Sequence, residues 1–281
     1  GTEAIFSFFE AESGPTYSFG MEKAIEEVNP KTGETYLCSY EYKPEIVELT
    51  PDEVKEYTEE SRKLVRTFHA ADSKEKRDEI VSQISINRQK IIKNAENKFE
   101  ALNDLLKDLG NIEKTLIYSS PGQLDRIKSI LNERKVTHHK FTMDEDVRPK
   151  KKLGGNSERD QLLDIFSKGH YDALISMNVL DEGVNVESAK RGILMSSSRN
   201  PRQYIQRRGR LLRHSDDKEK AVIHDMIALP PKEGPSPENF TEIEKKIVKK
   251  ELERYKEFSE IAENSIECTE TLREIKRRFD L

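Results

Sequence analysis

The stretch TLIYSSPGQLDRIKSILNERKVTHHKF, residues 115–141, decides the fold. Thr115–Ser119 is a short β-branched, apolar run, and Ser120-Pro121-Gly122 supplies turn chemistry. Gln123–Glu133 then places Leu124, Ile127, Ile130 and Leu131 at helical spacing, before Val136–Phe141 returns to a strand pattern. The same alternation continues. Ala173–Met177, Gly192–Ser196 and Ala221–Met226 read as strands, and Glu158–Ser167 and Pro201–Leu212 as amphipathic helices between them. Strand, helix, strand at this spacing predicts a parallel sheet with helices on its faces. Function in such folds collects in the loops at the carboxyl ends of the strands.

On the amino-terminal side, residues 51–109 read as helical. Thr50-Pro51-Asp52-Glu53 is a helix start, with a capping Thr, Pro in the first turn and acids at the positive end of the dipole. Apolar residues recur at helical spacing from Val54 to Phe68 and from Ile80 to Leu109, and Gly110 ends the run. Two helices packed as a hairpin are expected, forming an insertion over 51–110. Residues 1–50 hold a helical fragment at Met21–Val28 and a strand at Tyr36–Leu49, pieces that enclose no core of their own and read as the tail of something larger. On the other side, LPPKEGPSP (residues 229–237) is a Pro/Gly linker, and Phe240–Phe279 reads as one long or one broken helix. The apolar spacing of that tail drifts instead of holding a heptad, so it either folds back on the lobe or receives a partner.

Composition limits the functional classes. The 281 residues carry 48 Lys+Arg against 53 Asp+Glu, a formal net charge of -5, and no Trp. No apolar run approaches the roughly 18 residues needed to span a bilayer. The opening GTEAIFSFFE has neither the basic leader nor the apolar core of a signal peptide. Cys38 and Cys268 are too far apart in sequence to suggest a disulfide framework or a metal site, and His138-His139 on one strand point to opposite faces. An intracellular setting, cytoplasm or nucleoid/nucleus, is expected, with no membrane partner and no metal bound by these side chains.

The acidic total conceals a basic patch. Between Ser188 and Ser215 there is no Asp or Glu, yet there are Lys190, Arg191, Arg199, Arg202, Arg207, Arg208, Arg210 and Arg213. Guanidinium is a rigid donor fork matched to phosphate oxygens, so RNPRQYIQRRGRLLR (residues 199–213) is read as a phosphate-facing helix. Helical spacing puts Gln206, Arg210 and Arg213 on one face, with Ile205, Leu211 and Leu212 covering the other and Gly209 allowing a close approach.

Gln206-Arg-Arg-Gly-Arg-Leu-Leu-Arg213 resembles motif VI of superfamily-2 helicases and translocases, Q-R-x-G-R-x-x-R. Val179-Leu-Asp-Glu-Gly-Val-Asn-Val186 resembles motif V, Thr115–Ser120 resembles motif IV, and Arg159, Phe166 and Gly169 resemble the R…F…G element between them. Tyr17–Glu27 and Tyr40…Val47-Glu-Leu-Thr-Pro51 are similar to the inter-lobe region of the xeroderma-pigmentosum-B and restriction-subunit branch. The resemblance covers about residues 1–228 and implies an α/β, RecA-like (P-loop NTPase-type) parallel sheet flanked by helices, with a helical insertion; the helical C-terminal tail, read from its apolar spacing, has no counterpart in it. Together these readings divide the chain into an inter-lobe segment that is the tail of a first motor lobe (1–50), the helical hairpin (51–110), the second RecA-like lobe (111–228) and the linker with its tail (229–281). No Gly-Lys dipeptide, and so no P-loop, occurs in the chain. The resemblance therefore implies the rear half of an ATP-dependent DNA helicase or translocase, inactive alone, with ATP and Mg²⁺ held mainly by a first lobe outside this sequence.

The resemblance also implies roles. Arg213 is the first choice and Arg210 the second for an arginine finger on the γ-phosphate, and Gln206 hydrogen-bonds the phosphate or the attacking water's network. Arg207 either meets the nucleotide or ties motif VI to its neighbours. Glu182 and Gly183 couple the two sites, and Asn185 contacts the ribose where many relatives carry Asp. Ser119 and Ser120 meet nucleic-acid phosphate or cap the helix that follows. Met177 stands where relatives place a phosphate-binding Thr, leaving Ser176 or Asn178 to substitute. Double-stranded DNA is the expected nucleic-acid partner and the first lobe the protein partner. An RNA helicase lobe, or a non-catalytic nucleic-acid-binding module, are the alternatives.

Overall fold

In the computed structural model, the described residues are 19–70, 73–142, 148, 155, 157–177, 186–196, 201–231 and 242–281. The apolar runs form six strands: β1 (Ser39–Glu48), β2 (Thr115–Tyr118), β3 (His138–Phe141), β4 (Ala173–Ser176), β5 (Arg191–Leu194) and β6 (Lys220–Leu229). They make one sheet in the order β1-β6-β5-β2-β4-β3, with every neighbouring pair parallel. β2 and β4 are buried at every position, as expected of parallel strands covered on both faces.

Nine helices join these strands among the described residues: α1 (Met21–Glu26), α2 (Pro51–Ala70), α3 (Lys74–Lys93), α4 (Asn97–Leu109), α5 (Leu124–Glu133), α6 (Glu158–Ser167), α7 (Pro201–Leu211), α8 (Glu242–Ser259) and α9 (Ser265–Arg278). Alternation along the strands sorts the core into two layers. Leu116, Tyr118, Leu174, Leu194, Ile223 and Ile227 pack against α6, α7, α8 and α9 through Phe166, Leu211, Tyr255, Phe258 and Leu272. Ile117, Ile175, Ile193, Met195, Met226 and Ala228 pack against α4 and α5 through Phe99, Leu102, Leu106, Ile127 and Leu131. The helix start at Thr50 forms as a capping box: Thr50 N–H donates to Glu53 Oε2 at 2.8 Å and Glu53 N–H to Thr50 Oγ1 at 3.3 Å.

Packing draws different boundaries from those read in the sequence. The strand of the 1–50 segment pairs with β6 along its whole length, so it completes this sheet instead of ending a preceding one. The helical stretch 51–109 is three helices, broken at Asn94–Glu96. Only α2 and α3 form the hairpin, while α4 lies on the sheet with Phe99 and Leu102 in its core. A run of apolar spacing does not reveal that its last third turns to face a different partner.

The tail folds back on the lobe as two helices. Its turn covers the outer edge of β1, where a bare strand would invite pairing with another chain. Asn264 acts as a substitute strand there: Tyr42 N–H donates to Asn264 Oδ1 at 3.0 Å, and Asn264 Nδ2 donates to Tyr42 O at 2.9 Å. Glu263 N–H adds a bond to Tyr40 O at 2.9 Å. Beneath the turn, Arg254 on α8 donates to both oxygens of the fully buried Asp225 on β6, at 3.0 and 3.2 Å, and Tyr42 Oη donates to Asp225 Oδ2 at 3.0 Å. Burial works against the Arg254 cation, but Asp225 and Glu251 outweigh it and raise its pKa.

Helix α7 crosses the sheet at Gly192 of β5. A Cβ added there would stand 2.6 Å from Leu211 Cδ2, inside van der Waals contact with a buried side chain. Gly192→Ala is expected to destabilise the chain by about 1–3 kcal/mol through overpacking, and Leu211→Ala in the same chain is expected to remove most of that increment. Urea unfolding of the two single variants and the double variant measures it; additive losses would show that the two positions do not meet.

Candidate functional site

Six parallel strands give the sheet two chemically distinct edges, and α7 connects them. It begins beyond the carboxyl end of β5 and must return to the amino edge to start β6. Its last turn is fastened at that edge. Cys38 N–H, just before β1, donates to Leu212 O at 2.8 Å. Arg213 lies two residues past the helix, with its guanidinium 4.0 Å from Glu187, in the loop that leads into β5. The arginine segment therefore delivers its final residue to the amino edge, not to the carboxyl-end loops where parallel sheets most often place their function.

The basic residues of α7 separate into inward and outward groups. Arg207 is buried; its Nη1 donates to Ser196 O at 3.3 Å and its guanidinium lies 5.4 Å from the Tyr118 ring centroid. It ties motif VI to the β5 loop, the structural one of its two readings, and it points away from the amino edge. Arg208 is buried more deeply, against the tail. Gln206 is exposed and Arg210 is partly exposed, while Arg213 is 47% exposed and its partner Glu187 54%. Two expectations need correction. Ile205 is 36% exposed and does not cover the core; the buried side of the segment is made by Arg208, Leu211 and Leu212 further along it. Gly209 has Met21 Cε at 3.7 Å from an added Cβ, an ordinary contact, so the close approach is made at Gly192 instead.

Two lysines absent from the sequence reading organise this region. Lys218 is buried at the amino edge, and its Nζ donates to Glu187 O at 2.7 Å, Ala189 O at 3.1 Å and Leu211 O at 3.0 Å. All three ammonium donors are used to join the loop after motif V to the end of the arginine helix. Burial pulls its pKa down. Lys98 on α4 does the corresponding work at the carboxyl edge, where Nζ donates to Met195 O at 3.1 Å and Gln123 Nε2 approaches the same carbonyl at 3.4 Å. Neither lysine belongs to a motif; only the three-dimensional meeting of distant segments exposes their role.

The serines also gather at the carboxyl edge. Ser119 N–H donates to Ser176 O at 2.9 Å, and both hydroxyls are buried without a hydrogen-bond partner among the described residues. Ser120 takes the helix-start role: its N–H donates to Gln123 Oε1 at 2.9 Å and its hydroxyl to Asn94 Oδ1 at 2.6 Å. Asn178, Glu182, Gly183 and Asn185, with most of the motif V loop, lie outside the described residues. Arg159 and Phe166 sit together on α6, Phe166 buried and Arg159 6.0 Å from the Phe141 ring centroid. Gly169 follows the helix at φ +78°, the left-handed conformation that favours glycine.

Burial pushes the Lys98 ammonium down to about 8, against the pull of Glu251. The unfolded chain holds that proton up to the ordinary lysine range, while the folded chain releases it near 8. Between these values the unfolded state binds more protons, so stability rises with pH, by up to about 1.4 kcal/mol per unit. Tyr40, which burial pushes up to about 12, acts oppositely and only above its ordinary range near 10. Lys98→Met is expected to lower the slope of stability against pH seen in urea unfolding between about pH 8 and about pH 9.5, leaving the part that Lys218 contributes; an unchanged slope would mean that Lys98 keeps its proton when folded.

Comparison with known proteins agrees with this geometry. Residues 97–215 match the family described as Helicase conserved C-terminal domain. The DNA 3'-5' translocase XPB2 of Sulfurisphaera tokodaii is 30% identical over 221 residues, 72% of this chain. The chain spans about half of that relative, 45% of its length. Among solved structures, the Sulfolobus solfataricus SWI2/SNF2 ATPase core in complex with dsDNA matches 86% of this chain and 50% of its own, with a TM-score of 0.54 at 16% identity. The C-terminal domain of that ATPase matches 86% of this chain and 99% of its own, with a TM-score of 0.50 at 15% identity. Residues 97–215 thus carry a helicase conserved C-terminal domain, and the chain, with its six-stranded parallel sheet, is similar to the second RecA-like lobe of superfamily-2 helicases and translocases.

Proposed function

We propose that this chain is the C-terminal motor lobe of an ATP-dependent DNA translocase or helicase, and that it completes an ATP site whose phosphate cradle is on a first lobe. One observation carries the reading: α7 brings Arg213 to the amino edge, half exposed, with its nearest carboxylate among the described residues as far away as 4.0 Å. A loose, solvent-shared pair of that kind is worth little and is readily exchanged for a phosphate. Arg208, tightly paired and buried, has no such freedom.

In this reading ATP, with Mg²⁺, supplies the phosphoanhydride bond that water cleaves. The chain's own residues then divide the work. Arg213 meets the charge that develops on the γ-phosphate, with Arg210 beside it on the preceding turn. Gln206 orients the phosphate or water network. Asn185 contacts the ribose, and Glu182 and Gly183 carry the signal between edges. Lys218 holds Glu187 and Leu211 together, and so sets the position of Arg213 relative to motif V.

The carboxyl edge is the proposed nucleic-acid side. Ser119, Ser120 and Ser176 lie there, Asn178 is proposed to join them, and the hydroxyls of Ser119 and Ser176, unpartnered among the described residues, are the groups that a phosphate or its water would satisfy. Double-stranded DNA is favoured over RNA by the likeness to a DNA translocase. Contacts at this edge would position the lobe on the backbone without reading sequence.

The test joins this chain to its first lobe and measures DNA-stimulated ATP hydrolysis. The chain alone is expected to turn over no ATP. Arg213→Ala in the two-lobe protein is expected to lower kcat by on the order of 10³ while leaving DNA binding intact, and Arg210→Ala to cost less. Robust hydrolysis by the isolated chain, or full turnover by Arg213→Ala, would refute the assignment.

A further inference from the structure

The family pattern leaves three positions of motif VI open, and in this chain the first of them holds Arg208. That arginine does not face solvent or the amino edge. Its side chain is 1% exposed and reaches 49 residues downstream into α8. Nη1 donates to Glu257 O at 2.8 Å and to Tyr40 Oη at 3.2 Å, and Nη2 donates to Glu257 Oε1 at 2.9 Å. The guanidinium lies 4.9 Å from the Phe258 ring centroid and 5.9 Å from that of Tyr40. Glu257 O belongs to the last turn of α8, where carbonyls lack helical partners and the dipole end is negative, so a cation is well placed there.

The tail is equally well fixed on its other side. Arg254, three residues before Glu257 and so on the same face of α8, is clamped to the buried Asp225 of β6. The turn after α8 is bonded to β1 through Asn264. From one short stretch of helix, the tail therefore grips β6, next to the edge strand of the sheet, and the arginine helix together.

We propose that the C-terminal helical pair α8–α9 is a brace for the arginine helix, and that Glu257 is a positioning residue that orients α7 through Arg208. Arg208 lies between Gln206 and Arg210, so a rotation of α7 that breaks the Glu257 contact moves both residues. This inference rests on the proposed role of α7 in ATP hydrolysis, but its first test does not. Glu257 is 38% exposed, so replacing it deletes a tether without opening a core cavity.

Hydrogen exchange on the chain as it stands compares Glu257→Ala and Glu257→Gln with the parent. Glu257→Ala is expected to speed exchange of the α7 amides about tenfold, the factor of a single lost charge-assisted bond, while β6 stays protected. Glu257→Gln keeps an acceptor oxygen and is expected to retain most of the protection. In the two-lobe protein, Glu257→Ala is expected to lower kcat about tenfold with KM for ATP unchanged, and Glu257→Gln to restore most of it. Unchanged α7 exchange would overturn the brace, as would a uniform rise that includes β6. Faster α7 exchange with normal kcat, in a protein whose Arg213→Ala variant has lost turnover, would overturn the positioning role. Full turnover by Arg213→Ala would instead remove the catalytic premise, leaving the exchange result to judge the brace alone.

Discussion

A parallel sheet obliges every connection to return. After β5 the chain stands at the carboxyl edge, and it cannot begin β6 without crossing back over the face. That constraint places α7 where it is. The helix must lie on the sheet, so one side is apolar or bonded to protein, and it must end at the amino edge, so its last basic residue is delivered there. Gly192 lets it lie close, Leu211 and Leu212 bury its inner side, and Lys218 fastens its end. The separation of an arginine edge from a serine edge follows from connectivity before any side-chain chemistry is considered.

Within that frame, burial assigns different tasks to chemically identical groups. Arg207 and Arg208 are adjacent to exposed positions yet buried, each donating to a carbonyl and lying near aromatic rings. They bond parts of the lobe together. Arg213, past the end of the helix, keeps half of its surface in solvent. A guanidinium buried and bonded within its own fold costs too much to withdraw, whereas one facing a carboxylate across 4.0 Å can change partners. The charge pattern that first drew notice, a long interval without acids, thus contains both buried tethers and an exposed, loosely paired arginine.

The described residues on either side of 111–228 belong to this same body. β1 extends the sheet by the full length of β6, and the tail closes over the exposed edge that β1 would otherwise present. The buried Asp225–Arg254 pair, with Tyr42 as a third member, joins β6, α8 and β1 at one point. An ion pair this deep contributes little net stability by itself, but losing one partner is costly, and so it selects one seating of the tail.

Much of this was legible in the amino-acid order. The strands from Thr115 to Leu229, the helix Glu158–Ser167 and the capping box at Thr50 follow from local rules: alternation, helical spacing and the hydrogen-bonding capacity of a side chain a few residues away. The arginine segment was visible because acids are missing from it. What local pattern cannot carry is which distant groups meet. Arg208 and Glu257 are 49 positions apart, Lys98 and Met195 are 97 apart, and Tyr42 and Asn264 are 222 apart. Ile205 looked like a core residue because helical periodicity gives the angle of a side chain but not the identity of what faces it. Composition and periodicity determined a parallel α/β lobe with a basic helix; tertiary structure alone decided which cations are spent inside the fold and which are left to reach beyond it, because that choice depends on desolvation and partners brought together only when the sheet closes.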